Sequence, residues 1–154
     1  MTAPLSDLLE DLMAREPQLN DFGFGLSAGY PEKPHAEQVR TLAGDRAKLR
    51  ASLPDIAFSI DWLLANIKPS PSLNYRGSSY GLKHLMETDS PRKYLTNGVV
   101  IAAAVLAGYK YARIGTSPNA RFNMQACSFR KVVRSRLGEQ GIRRGVHGRG
   151  AYLP

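Results

Sequence analysis

One stretch of the sequence, Val99 to Ala107, consists of nine consecutive residues whose side chains are all apolar. A helix that is apolar all round has no face for water, so other elements have to surround it. Nine residues are also far fewer than the roughly 20 that a helix needs to cross a bilayer. With Thr96 as N-cap and Gly108 after its end, the stretch predicts a helix over 97–107 at the centre of a globular core.

Three amphipathic helices are predicted in the first half of the chain. Leucine spacing predicts one from about 5 to 15, a second runs from Pro34 to about Leu53, and a third covers 56–67. Apolar side chains of the third are expected to share one core with 99–107, namely Ile56, Ile60, Leu63, Leu64 and Ile67. In the second helix the residues expected inside are Val39, Leu42 and Leu49, and those expected outside are Arg40, Asp45, Arg46, Lys48 and Arg50. Glycines and aromatics over 20–34 predict an irregular loop pinned by Phe22, Phe24 and Tyr30.

Two prolines and two serines between Lys68 and Asn74 predict a linker. It divides an N-terminal helical segment, 1–68, from a C-terminal module, 75–137. In this module a short helix capped by Ser78 or Ser79 ends before Pro91, and the apolar helix follows. Alternating residues then predict a hairpin with strands over 109–114 and 121–124, and a basic helix covers 128–137 up to Gly138. The remainder, 138–154, is predicted to be a flexible tail rich in arginine and glycine.

The predicted fold class is mainly α, a small helical domain with a short β-hairpin following a helix-turn-helix-like pair. Two short helices followed by a hairpin are the order of a helix-turn-helix with a wing. A recognition helix has to show polar side chains to base edges, however, and 99–107 has none. The second helix of the pair is therefore predicted to be core and not a reader of bases.

The positive charge is concentrated near the C-terminus. Residues 1–40 carry a net charge of −4 and residues 41–90 of +1, whereas residues 91–154 carry +11, in a chain of net charge +8. Nine of the twelve basic residues after position 90 are arginines, whose planar guanidinium grips phosphate with two hydrogen bonds. This predicts a polyanionic partner, DNA or RNA, bound by Arg113, Arg121, Arg130, Lys131, Arg134, Arg136, Arg143, Arg144 and Arg149. The alternative is that these basic residues bind no partner and form a solvated surface, whose charge the acidic first third of the chain offsets.

Aromatic residues alternate with these bases in a pattern that suits stacking on unpaired nucleobases. Their positions are Tyr109, Tyr111, Phe122 and Phe129, next to Lys110, Arg113, Arg121 and Arg130. Core aromatics on a small hairpin explain the same pattern, and we expect two of the four to be core.

The segment from Arg76 to Glu87 gathers side chains that an active site uses. Ser79 and Lys83 have the spacing of a serine/lysine pair on one helix face, and Tyr80 with His84 and Glu87 would form a hydrogen-bonded column. No oxyanion loop, acidic cluster or second histidine at ligand spacing accompanies them. We interpret the segment as capping and packing, and predict neither an enzyme nor a metal or other cofactor. Because Cys127 is the single cysteine and the N-terminus lacks a signal pattern, a cytoplasmic setting is expected, with no membrane partner.

The run SSYGLKHLMETDSPRKYLTNGVVIAAAVLAGYKY, followed by SPNARFNM, resembles small proteins without an assigned activity that bacteriophages and plasmids of Gram-negative bacteria carry. The resemblance covers residues 78–124. The positions that carry it are Ser79, Tyr80, Gly81, Leu82, Lys83, His84, Asn97, Gly98, Asn119, Phe122 and Asn123. It implies a genetic setting in which compact proteins bind their own DNA or block host nucleic-acid enzymes.

Two functions therefore compete. The first is a nucleic-acid-binding accessory protein of a phage or plasmid, which contacts the phosphate backbone through the C-terminal arginines. The second is an inhibitor that docks its arginines on an acidic surface of a host nucleic-acid enzyme, of the anti-CRISPR or anti-restriction type. A virion component is a weaker third. The chain is not a DNA mimic, because such inhibitors are acidic and this chain carries +8.

Overall fold

The computed structural model describes residues 2–26, 32–74, 77–90 and 93–145, with side chains for all of these except 136 and 139–145. Within them the chain is mainly helical, as the sequence predicts. The helices are α1 (Leu5–Arg15), α2 (His35–Ala51), α3 (Leu53–Asn66), α4 (Ser79–Asp89), α5 (Asn97–Leu106) and α6 (Ala126–Gly145). Two antiparallel hairpins pair β1 (Leu19–Asn20) with β2 (Gly23–Phe24), and β3 (Tyr111–Arg113) with β4 (Ala120–Phe122).

Helix α5 forms the centre of the core. Every residue from Asn97 to Ala104 is buried, and the helix packs against α1, α3 and α4. The Thr96 hydroxyl accepts a hydrogen bond from the backbone N–H of Val99, and Gly108 follows the helix with a φ of +95°. The predicted central helix and its shared core with α3 are both confirmed.

Gly98 allows α5 to approach the first hairpin. A Cβ atom at this position would lie 1.9 Å from the carbonyl oxygen of Asn20. The Gly98 N–H also donates a hydrogen bond of 3.0 Å to the carbonyl oxygen of Asp21. Only glycine fits here, since any larger residue would push the hairpin off the helix.

Some apolar residues that were predicted to be inside are exposed. Ile56 and Leu63 of α3 and Ile67 directly after it are buried as expected, but Leu64 of α3 is 62% exposed. On α2, Val39 is 53% exposed. The predicted irregular loop contains the β1–β2 hairpin, in which Phe24 is buried and Phe22 is 44% exposed, while Tyr30 lies outside the described residues. Helical periodicity places residues on a common face, but the neighbouring elements decide how much of that face is covered.

Arg46 was predicted to face outward, and this is wrong. Its guanidinium donates hydrogen bonds of 2.8–3.0 Å to four backbone carbonyls, those of Met13, Glu16, Pro17 and Leu19. The Met13 carbonyl lies in the last turn of α1, those of Glu16 and Pro17 lie between α1 and β1, and that of Leu19 lies in β1. The side chain thus ties α2 to the end of α1, where the helix dipole favours a cation.

We expect Arg46→Ala to lower the free energy of unfolding by about 2–3 kcal/mol, because the variant leaves four carbonyls without their charged donor. Arg46→Lys should lose most of the same stability, since an ammonium cannot reproduce the planar guanidinium fork. Arg50→Ala on the same helix is the control. It removes an exposed pair with Glu10 and should cost less than about 1 kcal/mol. Urea denaturation measures all three, and equal effects for Arg46→Ala and Arg50→Ala would contradict the assignment.

The segment predicted as a linker runs beside β4. The Ser70 N–H donates to the carbonyl oxygen of Asn123, and the Asn74 N–H to that of Phe122, both at 2.7 Å. The Asn123 side chain returns a hydrogen bond to the Ser70 carbonyl oxygen. Buried residues from both sides of this segment belong to a single apolar cluster. The predicted division at 68–74 stays a prediction about how the chain is organised.

Candidate nucleic-acid interface

Helix α6 is fixed to the rest of the fold along one side. Ser128 is 3% exposed, and its hydroxyl accepts a hydrogen bond from the backbone N–H of Lys68. Val132, one turn further on, is 7% exposed, and Phe129 packs partly buried against the core. These contacts leave the remaining sides of the helix turned away from the core.

The basic face of α6, which we define as Arg130, Lys131 and Arg134, is exposed. Positions 130 and 134 are one turn apart, and 131 lies beside both, so the three cations form one patch. In the part of the chain that the structure describes, none of them has an acidic or hydrogen-bonding partner. Three guanidinium or ammonium groups on adjacent turns, without an acidic partner among the described residues, can bind successive phosphates of a nucleic-acid backbone.

Helix α6 continues beyond the predicted end. It runs through Gly138 to Gly145, so Gly138 does not end it and 138–145 is not a separate tail. A single glycine inside a helix costs only about 1 kcal/mol, which the neighbouring turns can offset. Arg136, Arg143 and Arg144 therefore belong to α6, although their side chains are not described, and Arg149 lies outside the described residues.

The two arginines of the second hairpin do not extend the basic face as a pair. In the register of β3 and β4, Ala112 pairs with Arg121 and Arg113 pairs with Ala120, which puts the two arginines on opposite faces of the hairpin. The Arg113 guanidinium donates to the Gln18 side chain and lies 4.8 Å from the centre of the Phe24 ring. Arg113 therefore helps to hold the N-terminal hairpin.

The aromatic residues predicted to alternate with the bases are packed and not free for stacking. Tyr109 and Phe122 are buried, which confirms the expectation that two of the four are core. Tyr111 is half-buried and stacks on Phe24. Its pKa is raised to about 12, mainly because the side chain is buried and also because its hydroxyl bonds to the Glu16 carboxylate. Phe129 is half-buried against α4.

A groove of about 640 Å³ separates α4 from α6. We call it the α4–α6 groove; its apolar lining includes Leu82, Leu85, Phe129, Val133 and Leu137. Val133 and Leu137 are 44% and 49% exposed, and Arg130 of the basic face stands at its edge. Cationic and apolar surfaces are therefore continuous along this side of α6.

In the polar segment around the start of α4, Ser78 and Ser79 serve in capping and packing. The Ser78 hydroxyl accepts the Gly81 N–H and caps α4, which decides between the two predicted caps. Ser79 is fully buried, and its hydroxyl accepts the Ala120 N–H at 3.1 Å. The Lys83 ammonium is bound to Glu87 at 3.0 Å. Ser79 thus joins α4 to β4 through a buried hydroxyl.

We expect Ser79→Ala to destabilise the fold by about 1–3 kcal/mol, because the Ala120 N–H would be left buried without an acceptor. Ser78→Ala removes only the exposed cap and should cost about 1 kcal/mol. Thermal denaturation of both variants tests the order. A Ser78→Ala variant that is less stable than Ser79→Ala would contradict the roles given to the two hydroxyls.

Among the described residues, no group of three histidine, cysteine, aspartate or glutamate side chains is placed to hold a metal ion. No helix in the same part of the chain is long and apolar enough to cross a membrane. No protein-family model matches the chain, and neither a curated protein nor a solved structure shows significant similarity to it.

Proposed function

We propose that the protein binds nucleic acid through the phosphate backbone, with the basic face of α6 as the contact surface. The observation that carries this proposal is the patch of Arg130, Lys131 and Arg134, exposed on adjacent turns and without a counter-charge in the described part of the chain. The helix belongs to the segment that holds the whole net positive charge of the protein. Further arginines at 136, 143 and 144 lie on the same helix.

In this proposal the protein binds nucleic acid of any nucleotide sequence. The order α4, α5 and the β3–β4 hairpin is that of a helix-turn-helix with a wing, but α5 is buried from Asn97 to Ala104 and cannot reach base edges. The helix pair serves as the scaffold that carries α6. Phosphate contacts position a protein on nucleic acid without reading the bases.

The salt dependence of binding tests the proposal. If about five basic side chains each neutralise one duplex phosphate, log affinity against log salt has a slope of roughly −4.5, which means about 500-fold weaker binding at 200 mM than at 50 mM salt. Mobility shifts with mixed-sequence duplex and single-stranded oligonucleotides at both salt concentrations measure this. The absence of any affinity at 50 mM salt would refute nucleic-acid binding.

The α4–α6 groove favours a second function, that of an inhibitor of a host nucleic-acid enzyme. Val133 and Leu137 offer an apolar surface, and Arg130 beside them suits an acidic protein. Anti-CRISPR or anti-restriction activity in a phage or plasmid setting belongs to this alternative. A contact held by the groove would depend much less on salt than one held by phosphates. Co-purification with a host enzyme at 200 mM salt, without nucleic-acid binding, would favour it.

A further inference from the structure

A second cavity, of about 580 Å³, lies on the other side of α4 from the groove. Three aromatic side chains of the described residues are exposed, Phe22, Tyr80 and Tyr94, and all three line this cavity. Their exposed fractions are 44%, 53% and 76%. Aromatic rings are costly to leave in water, so their collection around one cavity needs an explanation. We call it the aromatic cavity.

Lys83 lies against two of the three rings of the aromatic cavity, those of Tyr80 and Tyr94. The side chain is buried, and its ammonium lies 5.0 Å from the centre of the Tyr94 ring and 5.9 Å from that of Tyr80. Glu87 balances its charge at 3.0 Å. Burial opposes the charge of Glu87, but the Leu95 N–H and the Lys83 ammonium hold the pKa of this carboxyl below its usual value. Lys48, the other lysine that lines the cavity, is likewise paired, with Asp45 at 2.8 Å, so the cavity does not require an anion.

Asn97, which lines the cavity, carries a side-chain oxygen that accepts no hydrogen bond from the described residues. Asn97 is 9% exposed, and its side-chain N–H₂ faces the carbonyl oxygens of Phe22 and Pro118 and the side-chain oxygen of Asn119, at 3.1–3.2 Å. These three acceptors fix the orientation of the amide. Its oxygen is buried and has no donor among the described residues. Buried polar atoms are nearly always paired, so a ligand that brings an N–H group suits this wall.

We propose that the aromatic cavity binds a nucleobase, a flat heteroaromatic ring that stacks on the exposed aromatic side chains and donates an N–H to the side-chain oxygen of Asn97. Stacking on aromatic side chains and hydrogen bonding at the base edge are how proteins hold unpaired bases. The volume is in the range of small-ligand sites. A free nucleotide and an unpaired base of an oligonucleotide share this chemistry. The site is separate from the basic face of α6, so this proposal does not depend on nucleic-acid binding by that face.

Calorimetric titration of the full-length protein tests the site. Uridine monophosphate should bind, and ribose 5-phosphate, which has the phosphate without the base, should not. The 3-methyluridine nucleotide lacks the only N–H of the uracil ring and should bind about tenfold more weakly. Tyr94→Ala should weaken uridine monophosphate binding about tenfold, whereas Tyr94→Phe, which keeps the ring, should stay within about twofold. Because Tyr94 is 76% exposed, neither substitution threatens the fold.

Two further measurements complete the test. A single-stranded trinucleotide that binds more than tenfold tighter than the monophosphate, with the same loss in Tyr94→Ala, assigns the cavity to an unpaired base; equal affinities assign it to a free nucleotide. Reversing Arg130, Lys131 and Arg134 should leave monophosphate binding unchanged, which separates this site from the proposed α6 interface. Equal binding of ribose 5-phosphate and the nucleotide, no binding of nucleotide or trinucleotide, or an affinity that Tyr94→Ala does not change would overturn the proposal.

Discussion

Replacing Arg130, Lys131 and Arg134 together by glutamate should weaken duplex binding by roughly 500-fold at 100 mM salt. Each lost phosphate contact removes about 0.9 from the slope of log affinity against log salt, so the slope should fall from about −4.5 to about −1.8. The loss should be the same for every duplex sequence, because phosphate contacts carry no base information. Fluorescence anisotropy over a salt series measures both quantities.

The matched control reverses three basic residues on other surfaces, Lys33, Arg40 and Lys110, all of them exposed. Both triple variants change the net charge by the same amount, from +8 to about +2. The control should keep a slope near that of the unmodified protein, since long-range attraction is screened beyond about 10 Å at 0.1 M salt. Equal losses in the two variants would show that net charge, and not the basic face of α6, accounts for binding.

Ile101→Asp should unfold the protein or lower its free energy of unfolding by at least about 4 kcal/mol, because a carboxylate would be buried without a partner. Ile101 is fully buried on α5, the helix that the other elements surround. Leu64→Asp is the control, because Leu64 is 62% exposed on α3 and should tolerate the change within about 0.5 kcal/mol. A melting temperature of Ile101→Asp equal to that of the unmodified protein would contradict the central place of α5.

Elements with local signals could be predicted well from the sequence. The bounds of α1 and the start of α5 agree with the structure because leucine spacing, Thr96 and the apolar run act within one or two helical turns. The shared core of α3 and α5 was predictable because a helix without a polar face requires apolar neighbours. The exposed cations of α6 were also predictable, because charge concentration is a property of the sequence itself.

Contacts between distant parts of the chain could not be predicted. Arg46 looks like an ordinary surface residue of α2, and only the position of α1, about 30 residues earlier, turns it into a donor to four carbonyls. Leu64 and Val39 fit an apolar spacing that the fold leaves uncovered.

The aromatic cavity could not be predicted from the sequence for the same reason. Phe22 stands 58 residues before Tyr80, and no periodicity links them. The aromatic residues that alternate with basic residues near the C-terminus were the available signal, but their rings are buried or half-buried in the fold. A sequence pattern reports which residue types are present, whereas exposure depends on how the elements pack.

Cys127, the single cysteine of the chain, gives a direct test of where nucleic acid binds. It is exposed in the first turn of α6, and positions 127, 131 and 134 share one side of the helix. Alkylation of the thiol by neutral iodoacetamide can be followed by mass spectrometry with and without a saturating duplex at 50 mM salt. The proposal predicts that bound duplex slows alkylation several-fold and that 500 mM salt restores the rate. Duplex binding with an unchanged alkylation rate would place the contact away from the basic face of α6 and contradict the account.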